Sequence, residues 1–165
     1  MPNDILRRNA KTIIDVTPTL STNAYADGDA LFNYQEIPYA VIGKGGCSKL
    51  INLTVTSKKA SWTSMEVILQ SNAQSLESAN DPMNITAVEG AAAGFLGWVD
   101  MPSAGALDMG DSIFGNPVPA VAKPQLPFLL EAADGSESVY FSAIIGGTVT
   151  YAASDLTFRF HIKYT

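Results

Sequence analysis

The chain has 165 residues, ten Lys and Arg against sixteen Asp and Glu, and a net charge of −6. That length suits one domain with a core of its own, and the acidic balance excludes a global attraction to nucleic acid or anionic membrane. One cysteine, Cys47, rules out an internal disulfide and a thiolate metal cluster, as expected in a reducing compartment. Charged residues are only 16% of the chain, below the roughly 25% of an ordinary soluble domain, a sparseness shared by subunits that pack against neighbours.

Residues 1–11 are polar, with Arg7, Arg8 and Lys11 clustered, and read as an N-terminal arm that is solvated or lies on an acidic neighbour. They lack the apolar stretch of a secretory signal, and eighteen apolar residues never run together, so no leader and no membrane span are expected. Residues 12–165 read as a single β domain. Thr12–Thr17 is β-branched and stops at Pro18, a first strand. Asn23–Asp29 is turn chemistry around Asp27-Gly28, and Ala30–Ile37 reads as a strand or a short helical turn. Ile42–Cys47 is a glycine turn.

From Lys49 the period is two, with Ile51, Leu53 and Val55 on one face and Asn52, Thr54 and Thr56 on the other. Met65–Gln70 is the next strand, paired with the previous one as a hairpin or facing it across two sheets. Ser71–Asp81 is a polar loop with room for one helical turn. The Gly/Ala-rich stretch after Ile85 predicts a loop or short helix that leads into a strand at Phe95–Met101. Residues 102–119, rich in Gly, Pro, Ser and Asp, predict a long surface loop of the kind that usually carries function.

Val121–Leu130 is a proline-interrupted strand, and Ala132–Glu137 an Asp-Gly turn. Val139–Ile145 is near-continuously apolar, a buried strand, and Thr148–Tyr151 resumes after Gly146-Gly147. In the last twelve residues Leu156, Phe158, Phe160, Ile162 and Tyr164 share one parity, and Asp155, Thr157, Arg159, His161, Lys163 and Thr165 the other. That alternation describes a half-buried strand deep in an antiparallel sheet. Seven to nine short strands separated by turns predict an all-β antiparallel sandwich, jelly-roll-like, with short helical turns in its loops.

Reactive chemistry is scarce. His161 is the one histidine and lies on a strand's polar parity, with no partners from which to build a triad. Cys47 lacks the cationic setting of an activated thiol. Asp27/Asp29 and Asp108/Asp111 lack the rest of a calcium loop and read as turn and cap residues. Gly43-Lys-Gly-Gly46 lacks phosphate-loop spacing, and the acceptor patterns at Asn52 and Asn84 matter only in a secreted protein. Trp62, Trp98, Phe95, Tyr25 and Tyr39 could line a sugar platform or serve as core and subunit contacts. No catalytic residue, cofactor or metal ligand is nominated.

Val16–Ala30, with "Y-x-x-G-D" at Tyr25–Asp29, resembles an element of small virion structural proteins of tailed bacteriophages. So do Tyr39–Lys58 and the segment Gly147-Thr-Val-Thr-Tyr-Ala-Ala-Ser-Asp-Leu156, a "G-T-x-T-Y-x-A-S-D-L" turn into the final strand. Residues 91–94 and 117–127 depart from the pattern. The resemblance implies a capsid cement (decoration) protein, made in the host bacterial cytoplasm and residing on the virion's capsid surface. It would be a homotrimer whose partner is the major capsid protein, with no catalytic residues, no nucleic acid and no membrane. The arm and the 102–119 loop are the expected contacts. A tail, fibre or baseplate component is the alternative within the particle; a carbohydrate-binding module for a host-surface glycan is the alternative outside it.

Overall fold

A computed structural model describes residues 10–59, 63–108, 113–115 and 126–165. The alternating stretches form antiparallel strands in two layers. In the first sheet β1 (Lys11–Val16) pairs with β12 (Leu156–Tyr164), and β12 with β4 (Cys47–Ser57). Along its free side β4 takes β9 (Phe128–Glu131) on its first half and β8 (Ile113–Gly115) on its second, with β7 (Ala106–Asp108) outside β8. The second sheet runs β3 (Ala30–Ile37), β10 (Val139–Ile145), β5 (Met65–Gln70) and β6 (Phe95–Met101). A two-stranded ribbon, β2 (Ala24–Tyr25) with β11 (Val149–Thr150), completes the set.

With the β2–β11 ribbon and the β7–β8 hairpin set aside, eight strands remain, and their pairing is nested. First pairs with last (β1, β12), second with seventh (β3, β10), third with sixth (β4, β9) and fourth with fifth (β5, β6). One long antiparallel hairpin has been folded over itself into two four-stranded sheets, the connectivity of a jelly roll.

The inward parity of each strand supplies the core. Phe158 and Phe160 of β12 meet Phe141 of β10 at ring separations of 5.1 and 4.9 Å, and Phe32 of β3 meets Phe141 at 5.3 Å. All four rings are buried, each worth ~1.5–3 kcal/mol of apolar transfer and ~0.5–1.5 kcal/mol more per ring pair.

Several expectations shift. Ala30–Ile37 resolves to a strand. The Lys49 and Met65 stretches face one another from different sheets, so they are not a hairpin. Ile51 does not share the inward face of Leu53 and Val55. A bulge opposite the His161–Ile162 step pairs Ile162 with Leu50, which is buried, and leaves Ile51 half-buried. Residues 102–119 are not one loop: a 3-10 turn at Ser103–Gly105 and the β7–β8 hairpin occupy the described part and extend the first sheet. The proline-interrupted strand is observed only at Phe128–Glu131, because Pro127 has no amide hydrogen for the ladder; residues 121–125 lie outside the described set. β1 begins at Lys11, the last residue assigned to the arm, and residues 1–9 are outside the described set. The Ser71–Asp81 stretch forms turns without a helix.

The single helix among the described residues, α1 (Ala87–Ala93), starts at a capping box. Thr86 Oγ1 accepts from the Glu89 amide at 3.2 Å, and a Glu89 carboxylate oxygen accepts from the Thr86 amide at 2.9 Å. The helix ends at Gly94, in the left-handed conformation at φ 61°. With Leu76 it lays Ala93 over Ile68 and Trp98, so part of the second sheet's outer face is covered by a satellite core.

Candidate functional surface

Two of the three stretches that carry the bacteriophage resemblance, over a hundred residues apart, meet as one corner of the sandwich. β2 and β11 pair Tyr25 with Val149 and Ala24 with Thr150. The rings of Tyr25 and Tyr151 sit 6.2 Å apart, both buried. Each tyrosine is followed by an aspartate that closes its turn in the same way. Asp29 Oδ2 accepts from the Ala26 amide, and Asp155 Oδ2 from the Ala152 amide, both at 2.7 Å. Asp29 is itself buried, so its role is the turn duty expected for the Asp27/Asp29 pair.

The two phenols have opposite fates. The Tyr25 hydroxyl donates to the Leu31 carbonyl at 2.8 Å and accepts from the Ser21 amide at 2.7 Å. Burial raises its pKa, against the opposing pull of the Ser21 amide. The Tyr151 hydroxyl is buried without a hydrogen-bond partner. Desolvation, aided by the nearby Asp155 charge, pushes its pKa up to about 12. The two tyrosines and their aspartates therefore build a structural joint.

His161 stands half-buried on the outward face of the first sheet, directly opposite Ile13 on β1 and Asn52 on β4. Cys47 begins β4 and is exposed, with Sγ 3.5 Å from the Thr165 hydroxyl. Among the described residues no three His, Cys, Asp or Glu side chains are grouped to hold a metal. The Gly43–Gly46 segment is a tight turn that enters a strand and not a helix. Asn52 lies on the outward sheet face. Asp108 ends β7, paired with Ile113 of β8, and Asp111 is outside the described residues.

The aromatic platform does not assemble as a set. Tyr25 is buried and Trp98 packs in the satellite core, whereas Tyr39 and Phe95 are exposed; Trp62 is outside the described residues. Tyr39 has φ 54°, a conformation that side-chain-bearing residues seldom adopt, and its carbonyl accepts from the Tyr164 hydroxyl at 2.9 Å. A cleft of about 260 Å³ lies between these tyrosines, floored by Val41 and Ile42. A second, of about 220 Å³, lies on the second sheet beside Asp27, Glu66 and Asp100.

On the outward face of the first sheet Asp15 of β1 and Arg159 of β12 form a two-pronged ion pair, both contacts at 2.8 Å. The Arg159 hydrogen bonds hold the Asp15 carboxyl below its ordinary range, with partial burial opposing and the Arg159 charge adding to the effect. This face was legible only as polar alternation, because register decides which polar residues become neighbours.

No protein-family model matches the chain, and no curated protein aligns with it significantly. The class that fold and surface define is an all-β jelly-roll sandwich.

Proposed function

We propose that this chain is a structural protein of a tailed-bacteriophage particle, a cement protein that binds the outside of the head as a homotrimer and bridges major capsid subunits. The observation that carries the reading is the corner: two of the three scattered segments that resemble virion proteins, those around Tyr25 and Tyr151, form a single spatial unit that ties the ribbon to a jelly roll. Jelly rolls serve in capsid and lectin proteins, where broad faces and loops make contacts and catalysis is not needed. In this reading the chain does no chemistry. It stabilises the assembled lattice by binding that state in preference to free subunits, and many copies need only modest affinity each.

The test adds purified chain to purified heads that lack it and measures co-sedimentation and burst resistance. Saturable binding at a fixed copy number per capsid subunit, with light scattering giving a trimer, is the expected result. A monomer that ignores heads and is retarded on a polysaccharide column would replace the reading with the carbohydrate-binding one, for which the exposed Tyr39 beside its cleft is the favouring feature.

A further inference from the structure

Sign reverses on the outward face of the first sheet. Lys11 of β1 lies directly opposite Lys163 of β12, and Lys163 directly opposite Lys49 of β4. Three ammonium-bearing residues thus cross three adjacent strands in one row, at a strand spacing of ~4.8 Å. Lys11 and Lys49 are exposed and Lys163 is half-exposed. The bulge at His161–Ile162 is what creates the row. Without it the register that pairs His161 with Asn52 would set Lys163 against Leu50; the extra residue in β4 brings Lys49 there instead.

Like charges directly opposite in a ladder cost stability, and no ion pair among the described residues relieves any of the three. The described residues of the face hold Lys11, Lys49, Lys163 and Arg159 against Asp15 and Glu131, within a chain where acids outnumber bases sixteen to ten. An anionic partner is therefore attracted by this face and repelled by the remainder, which sets its orientation as well as its approach.

Two exposed apolar side chains define the partner further. Leu129 of β9, 54% exposed, continues the lysine row beyond Lys49. Ile13 of β1, 58% exposed, lies two residues on from Lys11. A protein contact combines apolar anchors with complementary charge. A nucleic acid calls for stacking aromatics or a longer run of cations, and among the described side chains of this face neither is present, while Asp15 and Glu131 would also repel a uniformly charged backbone.

We propose that the outward face of the first sheet docks an acidic protein surface, with Lys11, Lys49 and Lys163 as the charge contacts and Ile13 and Leu129 as apolar anchors. The inference stands apart from the virion reading; under that reading it names the face turned toward the capsid.

The experiment uses the full chain and a glutamate–tyrosine random copolymer as the probe, with binding followed by calorimetry. Binding is expected at low salt and is lost at about 1 M salt, where the Debye length falls to ~3 Å. K49E/K163E should weaken it about tenfold or more and melt no lower than wild type, since the contact between positions 49 and 163 stays like-charged with its sign reversed while that between positions 11 and 163 becomes attractive. K44E/K58E, which changes net charge equally but leaves the row intact, should bind like wild type. Equal losses in the two variants, no binding by wild type at low salt, or tighter binding of duplex DNA or heparin than of the copolymer would each overturn the proposal.

Discussion

Gly97 on β6 offers the sharpest test of how the two sheets are held at this spacing. A Cβ placed there would meet Cζ of Phe128 at 2.7 Å and Cε2 at 2.8 Å, both well inside contact distance. Its φ of 139° is also a conformation that a residue with a side chain adopts only under strain. Gly97→Ala should therefore cost ~1–3 kcal/mol in backbone strain and ~1–3 kcal/mol in overpacking. Phe128→Leu removes the two offending ring atoms, so in that background only the strain should remain. Urea unfolding of the four proteins, followed by tryptophan fluorescence, gives the cycle directly. A coupling of ~1–3 kcal/mol is expected. Strictly additive costs, or a neutral Gly97→Ala, would show that Phe128 does not pack into the space Gly97 leaves.

The paired tyrosines should respond in opposite directions. Tyr25→Phe strands the Ser21 amide and Leu31 carbonyl and should destabilise by ~1–3 kcal/mol, whereas Tyr151→Phe removes a hydroxyl without a partner and should be neutral or stabilising in the same urea assay. Tyr151 also sets an alkaline limit. Its folded pKa lies above its unfolded value of 10.0, so the stabilisation is complete below pH 10 and is lost as pH rises toward about 12; absorbance titration should find the Tyr151 phenol among those that ionise late, and its late signal should be missing in Tyr151→Phe. Asp15 works at the acid end. Its pKa is lowered from 3.8, so its contribution is present above that pH and fades as pH falls through the folded value. The pair is exposed, so Asp15→Asn should cost under ~1 kcal/mol at neutral pH, with the difference from wild type vanishing in acid melts.

The sites that sequence reasoning missed had local signals of different strength. Thr86-x-x-Glu89 is a capping-box pattern at the entry to α1, readable without coordinates, and it would have turned the loop-or-helix choice into a helix. The burial of Tyr25, by contrast, had no local sign. It follows from β11 folding back onto β2 across more than a hundred residues.

Alternation by itself determined where the strands are and which face of most of them is apolar, because side-chain direction in a strand is a local property of period two. The final strand could be read on that basis alone, whereas Val139–Ile145 was legible from its near-continuous apolarity. Which strands become neighbours was decided only in three dimensions. The nested order that pairs Lys11 with Lys163 depends on closing very long loops, and on burying both apolar faces in one core. The lysine row lies one step further from the sequence. Each lysine is an unremarkable polar position on its own strand, and it takes the jelly-roll order together with a one-residue bulge to set all three side by side.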